Sequence, residues 1–220
     1  LGKILTGETP VPLTPDAKLI VHLLPVASFG TNLSFDVTHM STFANDLQPV
    51  GAGGWDHRFN LDGYLAIGPG CINGGVSSYC QLFRNGQIES VSTRLIHETG
   101  NGNRGIASVA YEEDVIGAAA KYVKLLRSME VPCPIVVWMT LTGVRGAHLF
   151  VNQRFASIDP VTFDRDTLHL PDALLRDYSH ISDERDIAKL LRPVFDAVWN
   201  ACGYPRSLNY DENGDWVPSR

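Results

Sequence analysis

Residues 63–92 constrain the fold more than any other part of the chain. Residues 63–67 (GYLAI), 78–84 (SYCQLFR) and 87–92 (QIESVS) each read as a strand. Gly68-Pro69-Gly70 and the Asn-Gly-Gly at 73–75 form a loose turn between the first two, and Asn85-Gly86 joins the last two. Asn-Gly is the favoured hairpin pair because both central positions of a type I′ turn need positive φ. Three successive strands with short connections predict an antiparallel meander.

Elsewhere the period changes from two to 3.6. In residues 112–129, Val115, Ala119, Tyr122, Leu126 and Met129 recur at helical spacing, and Ile116 and Val123 widen the stripe. Glu112, Glu113 and Asp114 then fall in the first turn and Lys121, Lys124 and Arg127 toward the end, complementing the helix dipole. On this reading the two adjacent glutamates are helix-start charges rather than an acid/base pair. A second helix is expected over 183–202, capped by Ser182, with Ile187, Leu190, Leu191, Val194, Phe195, Val198 and Trp199 as its apolar face. Pro193 predicts a kink or a fresh start inside it.

Further strands are expected at 18–25 (KLIVHLLP), at 135–141 (IVVWMTL) as a central strand, at 147–151 as its return, and at 166–170, where His169 faces solvent. His22, inside an apolar strand, reads as a satisfied core residue. Residues 34–59 read as loop with a helical turn near 42–47. The glycine-rich 99–105 reads as a flexible loop, because the Gly-Lys-Ser/Thr of a phosphate loop is missing. The expected fold is therefore α+β: a meander-type antiparallel sheet packed by two main helices, of GAF-like or profilin-like order. That analogy concerns fold alone.

Residues 1–5 read as the tail of a helix, and Gly7, Pro10, Pro12 and Pro15 make 6–15 extended. An inter-domain connector is the simplest use of such a stretch; the alternative is an arm lying on its own domain. A single domain over 16–206 follows, then a tail over 207–220 pinned by Trp216. Its Asp211-x-Asn213-x-Asp215 lacks the spacing of an EF-hand loop.

The net charge of −6 and the scattered Lys and Arg give no basic field for nucleic acid. Cys71, Cys80, Cys133 and Cys202 stand singly, without the paired spacing of a zinc site, so no metal or other cofactor is expected. Cys71 and Cys80 flank a loop and are the candidate pair for a disulfide; free thiols are the expectation. No run of about eighteen apolar residues and no signal-peptide pattern occur, which points to a cytoplasmic protein with no membrane partner.

The seven histidines form no HExxH or HxH pattern, and GxSxG is absent. A metal-dependent nuclease or nucleotide hydrolase would need clustered acids beside a cation. Asp62, Arg84 and Glu89, near the first meander strand and across the hairpin, are the nearest approach to a catalytic group. Arg145 and His148, at the turn after the central strand, are the candidates for an anion site.

Four strings, LGKILTGETPVPL, FNLDGYLAI, SSYCQLFRNGQIESV and LLRPVFDAVWNACGYPRSLNYDENGDW, resemble the C-terminal region of bacterial proteins that begin with a Schlafen/AlbA-type DNA-binding domain and are often labelled ATP-binding. The likeness covers nearly the whole chain. It implies that the nucleic-acid- or nucleotide-binding domain precedes the LGKIL segment, so no family site residue maps onto these positions. It also implies a non-catalytic accessory module that senses, oligomerises or positions that neighbour. The partners would be the upstream domain, a second copy of the chain, and nucleic acid only through the upstream domain.

Overall fold

The computed structural model describes residues 1–30, 33–71, 74–152, 154 and 159–218. It is an α+β fold built on a large, mostly antiparallel sheet. The strands are β1 (Lys18–Pro25), β2 (Asp56–Phe59), β3 (Gly63–Ile67), β4 (Ser78–Phe83), β5 (Ile88–Ser92), β8 (Ile135–Thr142), β10 (Thr167–His169) and β11 (Ala173–Leu175), in the order β10-β8-β1-β5-β4-β3-β2. β11 shares the β8 edge with β10, and their registers (Thr167 opposite Thr142, Ala173 opposite Val137) differ by one residue. Residues 170–172, with Pro171 among them, are thus a bulge in one edge strand, where a missing N–H is tolerated. A small sheet of β6 (His97–Glu98), β7 (Arg104–Ala107) and β9 (His148–Phe150) stands apart from the large one.

The meander forms with a different hinge from the one its sequence predicts. Phe83 N–H donates to the Gln87 carbonyl at 2.8 Å and Gly86 N–H to the Phe83 carbonyl at 2.9 Å, so the loop holds three residues, not two. Gly86 alone in that loop takes positive φ (84°), while Asn85 accepts from Gln87 N–H through its side chain. This is a type I turn closed by a glycine bulge. A β-carbon on Gly86 would also lie 2.9 Å from the Phe35 ring.

One face of the sheet is covered by two helices, α2 (Ser108–Ser128) and α3 (Glu184–Ala201), and by two short 3-10 turns over Met40–Leu47. α2, about 31 Å long, presents Tyr111, Val115, Ala119, Tyr122 and Leu126 to Leu19, Val21, Leu23 and their neighbours on β4, β5 and β8. Each fully buried Val, Leu or aromatic of this kind contributes about 1.5–3 kcal/mol. Glu130 at φ 55° closes the helix, letting Val131 N–H reach the Leu126 carbonyl at 2.9 Å. Asp183, not Ser182, caps α3, accepting from Arg185 N–H at 2.9 Å, while Ser182 N–H donates to Asp186. α3 runs through Pro193 without a break.

α2 begins four residues earlier than the acidic triplet predicts, and no acid lies in its first turn. Glu112 is consequently turned into the core, where it is fully buried.

The other sheet face carries Ile20, Leu65, Tyr79 and Val91, packed with Ile4 and Val11 from the N-terminal segment. α1 (Gly2–Leu5) and the proline-rich stretch lie here: Leu13 bridges Val76, Val76 N–H donates to the Pro12 carbonyl at 2.8 Å, and the Thr14 and Thr93 hydroxyls meet at 2.6 Å. Residues 1–15 are thus an arm on their own domain, because Ile4 and Val11 have an apolar face to cover. At the other end Ser207, Asn209 and Tyr210 are buried, so the stretch before Trp216 belongs to the core rather than to a solvated tail.

Three segments differ from their expected pairing. β2, within the stretch read as loop, lies exposed at the sheet edge and pairs with β3. The glycine-rich loop is the tip of a β6–β7 hairpin. β9 does not return along β8; it pairs in parallel with β7. Asn73 of the loose turn lies outside the described residues, as do the last two residues of the tail. All four cysteines are free. Among the described residues no helix is long and apolar enough to cross a membrane.

Candidate functional site

At the end of the sheet where β1 and β10 start and β5 and β8 finish, the chain leaves an open cleft of about 810 Å³. One wall is the arm, with Ile4, Leu5, Pro15 and Asp16; the other is the β5–β6 connection, β7 and the turn after β8, with Arg94, His97, Glu98, Arg104, Thr142 and Gly143. Lys18 and Asp166 complete it. The volume is in the range of small-molecule sites, and the lining is charged, with groups of both signs.

The local fold puts these side chains there. Leu19 pairs with Ser92, so the next residues of the two strands bring Arg94 alongside the start of β1. The β6–β7 hairpin sets Glu98 across from Arg104. Such partners have β-carbons about 4.5–5.5 Å apart, so both charges reach the same space. The Lys18 ammonium donates to the Asp16 carbonyl at 2.9 Å.

Arg94 and His97 also line a smaller neighbouring cleft of about 210 Å³, together with Ser92, Gly51 and Asp114. Asp114 keeps an edge to solvent, yet the packing around its carboxyl raises its pKa above the usual aspartate value. Glu113 beside it adds to the rise, and Arg94 and His97 oppose it. Gly51, at φ 70°, closes over this carboxylate; a β-carbon there would sit 3.0 Å from the Asp114 Oδ2.

The residues singled out from sequence for catalysis are not assembled into one site. Glu89 lies on the arm face of β5, where its Oε2 meets His22 Nε2 at 3.0 Å and its Oε1 accepts from the Tyr79 hydroxyl at 2.6 Å. Asp62 and Arg84 lie at the far end of the meander, exposed, joined by Arg84 N–H donating to the Asp62 carbonyl at 2.9 Å. Two strands and three residues of register separate Asp62 from Glu89, roughly 14 Å between α-carbons. Arg145 is exposed on the turn after β8, and His148 starts β9, its ring edge-on to Phe150 at 4.9 Å. Neither lines the large cleft. No group of three or more His, Cys, Asp or Glu among the described residues is placed to hold a metal ion.

Sequence reasoning assigned no role to Arg94, His97, Glu98 or Arg104. The available signal was the four charged or titratable residues that bracket a glycine-rich tip, 94 to 104, which is a ligand-loop pattern once the tip is known to be a hairpin. Comparison of the chain with protein-family models, with curated proteins and with solved structures finds no match.

Proposed function

We propose that this chain is a non-catalytic sensing module that works beside a Schlafen/AlbA-type domain. The second half of that reading rests on the sequence resemblance. The first rests on one observation: a charged cleft of about 810 Å³ lies between the sheet and the arm, so its two walls belong to different parts of the molecule. A ligand that bridges them favours the seated arm over the released arm by its differential affinity for the two states. The arm is held by Ile4 and Val11 against the apolar sheet face, with Leu1 and Leu13 packed beside them, by the Thr14–Thr93 hydroxyl pair and by the backbone bonds linking Pro12 and Thr14 to Val76, and a bridging ligand would reinforce this seating.

The test is a thermal-shift screen of small polar metabolites followed by hydrogen exchange with and without any binder. Binding is expected to slow exchange at the amides of Thr14 and Val76, which close the arm onto the sheet. A binder that leaves those amides unchanged, or a screen that finds none, would sink the sensing reading.

A further inference from the structure

The two edges of the large sheet are finished differently. On the β10 and β11 side the edge is interrupted by the bulge that carries Pro171, a device that discourages a further strand. On the other side β2 has no such interruption. Its four residues are all exposed, and it pairs with β3 alone.

The bonding of β3 decides which groups of β2 face outward. Arg84 N–H donates to the Asp62 carbonyl at 2.9 Å and Gly68 N–H to the Ser78 carbonyl at 2.8 Å, so Tyr64 and Ala66 between them bond to β4. Asn60 and Gly63 bond to each other at 3.0 and 3.3 Å. Bonded partners alternate along an antiparallel pair, so Arg58 bonds Leu65 and Asp56 bonds Ile67. The N–H and carbonyl groups of His57 and Phe59 therefore point away from the sheet, and among the described residues no hydrogen bond reaches them.

The side chains add a second constraint. Asp56 and Arg58 lie opposite Ile67 and Leu65, which puts an acid and a base two residues apart on the arm face. Neither has an ion-pair partner among the described residues. His57 and Phe59 lie on the helix face, their ring centres 5.5 and 5.0 Å from that of Tyr64, and Phe59 stays 51% exposed.

A second β2 related by a two-fold axis normal to the sheet adds antiparallel, with outward residues facing each other. Setting His57 against Phe59 brings Arg58 onto Arg58, and setting Phe59 against Phe59 brings Arg58 onto Asn60. Setting His57 against His57 brings Asp56 of each copy onto Arg58 of the other, twice. These are the closely spaced positions, with α-carbons about 4.5 Å apart. Opposite charges directly across a strand pair stabilise it and like charges oppose it.

We propose that two copies of this chain join edge to edge through β2, antiparallel about an axis at His57, with Asp56 of each against Arg58 of the other. The large sheet then runs unbroken through both copies. On the helix face Phe59 of one copy comes opposite Trp55 of the other, which covers part of its exposed ring.

Sedimentation velocity on the whole chain, at micromolar concentrations and low salt, tests this. The unaltered chain is expected to sediment as a dimer. Asp56→Arg sets Arg against Arg at both crossings and Arg58→Asp sets Asp against Asp, so each variant alone should dimerise at least tenfold more weakly. An equimolar mixture of the two restores both opposite-charge pairs and should regain the dimer. His57→Pro removes an N–H that β3 does not use and should give a monomer. All three positions are exposed, and unfolding curves verify the fold of each variant. A folded unaltered chain that stays monomeric would overturn the assignment and leave the edge to a strand of another protein. A dimer indifferent to either charge reversal or to His57→Pro, or a mixture of folded variants that stays monomeric, would overturn it equally.

Discussion

On the helix face of the large sheet, Glu112 is met by two indole N–H groups, a hydroxyl and a carboxamide. On the arm face, Glu89 is met by an imidazole and a phenol. The Glu112 Oε1 accepts from Trp199 Nε1 and the Ser207 hydroxyl, both at 2.8 Å, and its Oε2 from Asn209 Nδ2 and Trp216 Nε1, both at 2.9 Å. Those four donors are neutral, and burial outweighs them, so the Glu112 pKa is raised above 4.5. For Glu89 burial also pushes upward, but the bonds from His22 and Tyr79 and the attraction of the imidazole prevail, and the pKa is lowered. Donor count alone does not decide how a sheet face accommodates a carboxylate. A partner that can itself carry charge does.

The strongest way to break this contrast is Glu112→Ala, which leaves four donors without an acceptor, at least three of them in the buried core. Unsatisfied buried groups cost about 1–3 kcal/mol each before relaxation. The expected loss is about 3–5 kcal/mol by urea denaturation at pH 7. A loss below about 1 kcal/mol would mean that water replaces the carboxylate.

Next in size is Trp216→Phe, which keeps the aromatic bulk and removes one N–H from Glu112. About 1–2 kcal/mol should be lost, and combined with Glu112→Gln the two effects should fail to add, because they share one bond. Additive losses would show that Trp216 acts by packing alone.

Smaller again is Glu89→Gln, at about 1 kcal/mol, since the amide oxygen can still accept from Tyr79. Its companion Tyr79→Phe should cost about 0.5–1.5 kcal/mol. A larger loss from Glu89→Gln than from Glu112→Ala would reverse the ranking of the two faces.

The finest discrimination is in pH dependence. Between 4.5 and its raised folded value, Glu112 binds more protons folded than unfolded, so it makes stability fall as pH rises through that window. Glu89 does the opposite: below 4.5 the unfolded chain binds more protons, so its contribution is lost as pH falls toward the lowered folded value. Denaturation curves from pH 3 to 7 should therefore lose the decline above 4.5 in Glu112→Gln and the decline below it in Glu89→Gln. An exchange of these two outcomes would refute the assignment.

The elements with a clean period were legible: β1 lies at the expected residues, the meander strands within a residue or two, and the bodies of α2 and α3 follow their apolar stripes. What was not legible depends on partners distant in sequence. Glu112 looks like a helix-start charge in any local window; its acceptor role is set by residues 87 to 104 positions away. β2 has no apolar alternation because it is an exposed edge. β6 and β7 are too short to show a period and are held by β9, more than forty residues on. The cleft was invisible for the same reason, since its walls come from the arm, the β6–β7 hairpin and the start of β10. The hairpin turn was misjudged by one residue because Asn-Gly also serves the three-residue loop, where only the glycine needs positive φ.

The bonds from Ser207, Asn209 and Trp216 to Glu112 have a consequence in time. A chain is made from its N-terminus, and Glu112 enters the growing core about a hundred residues before its last donor exists. Until residue 216 has been added, the start of α2 holds a carboxylate that cannot be fully satisfied in the interior. The residues up to Trp216 thus act as a completion signal for this core. A product that stops short of Trp216 would be marked by an under-bonded core, open to quality control.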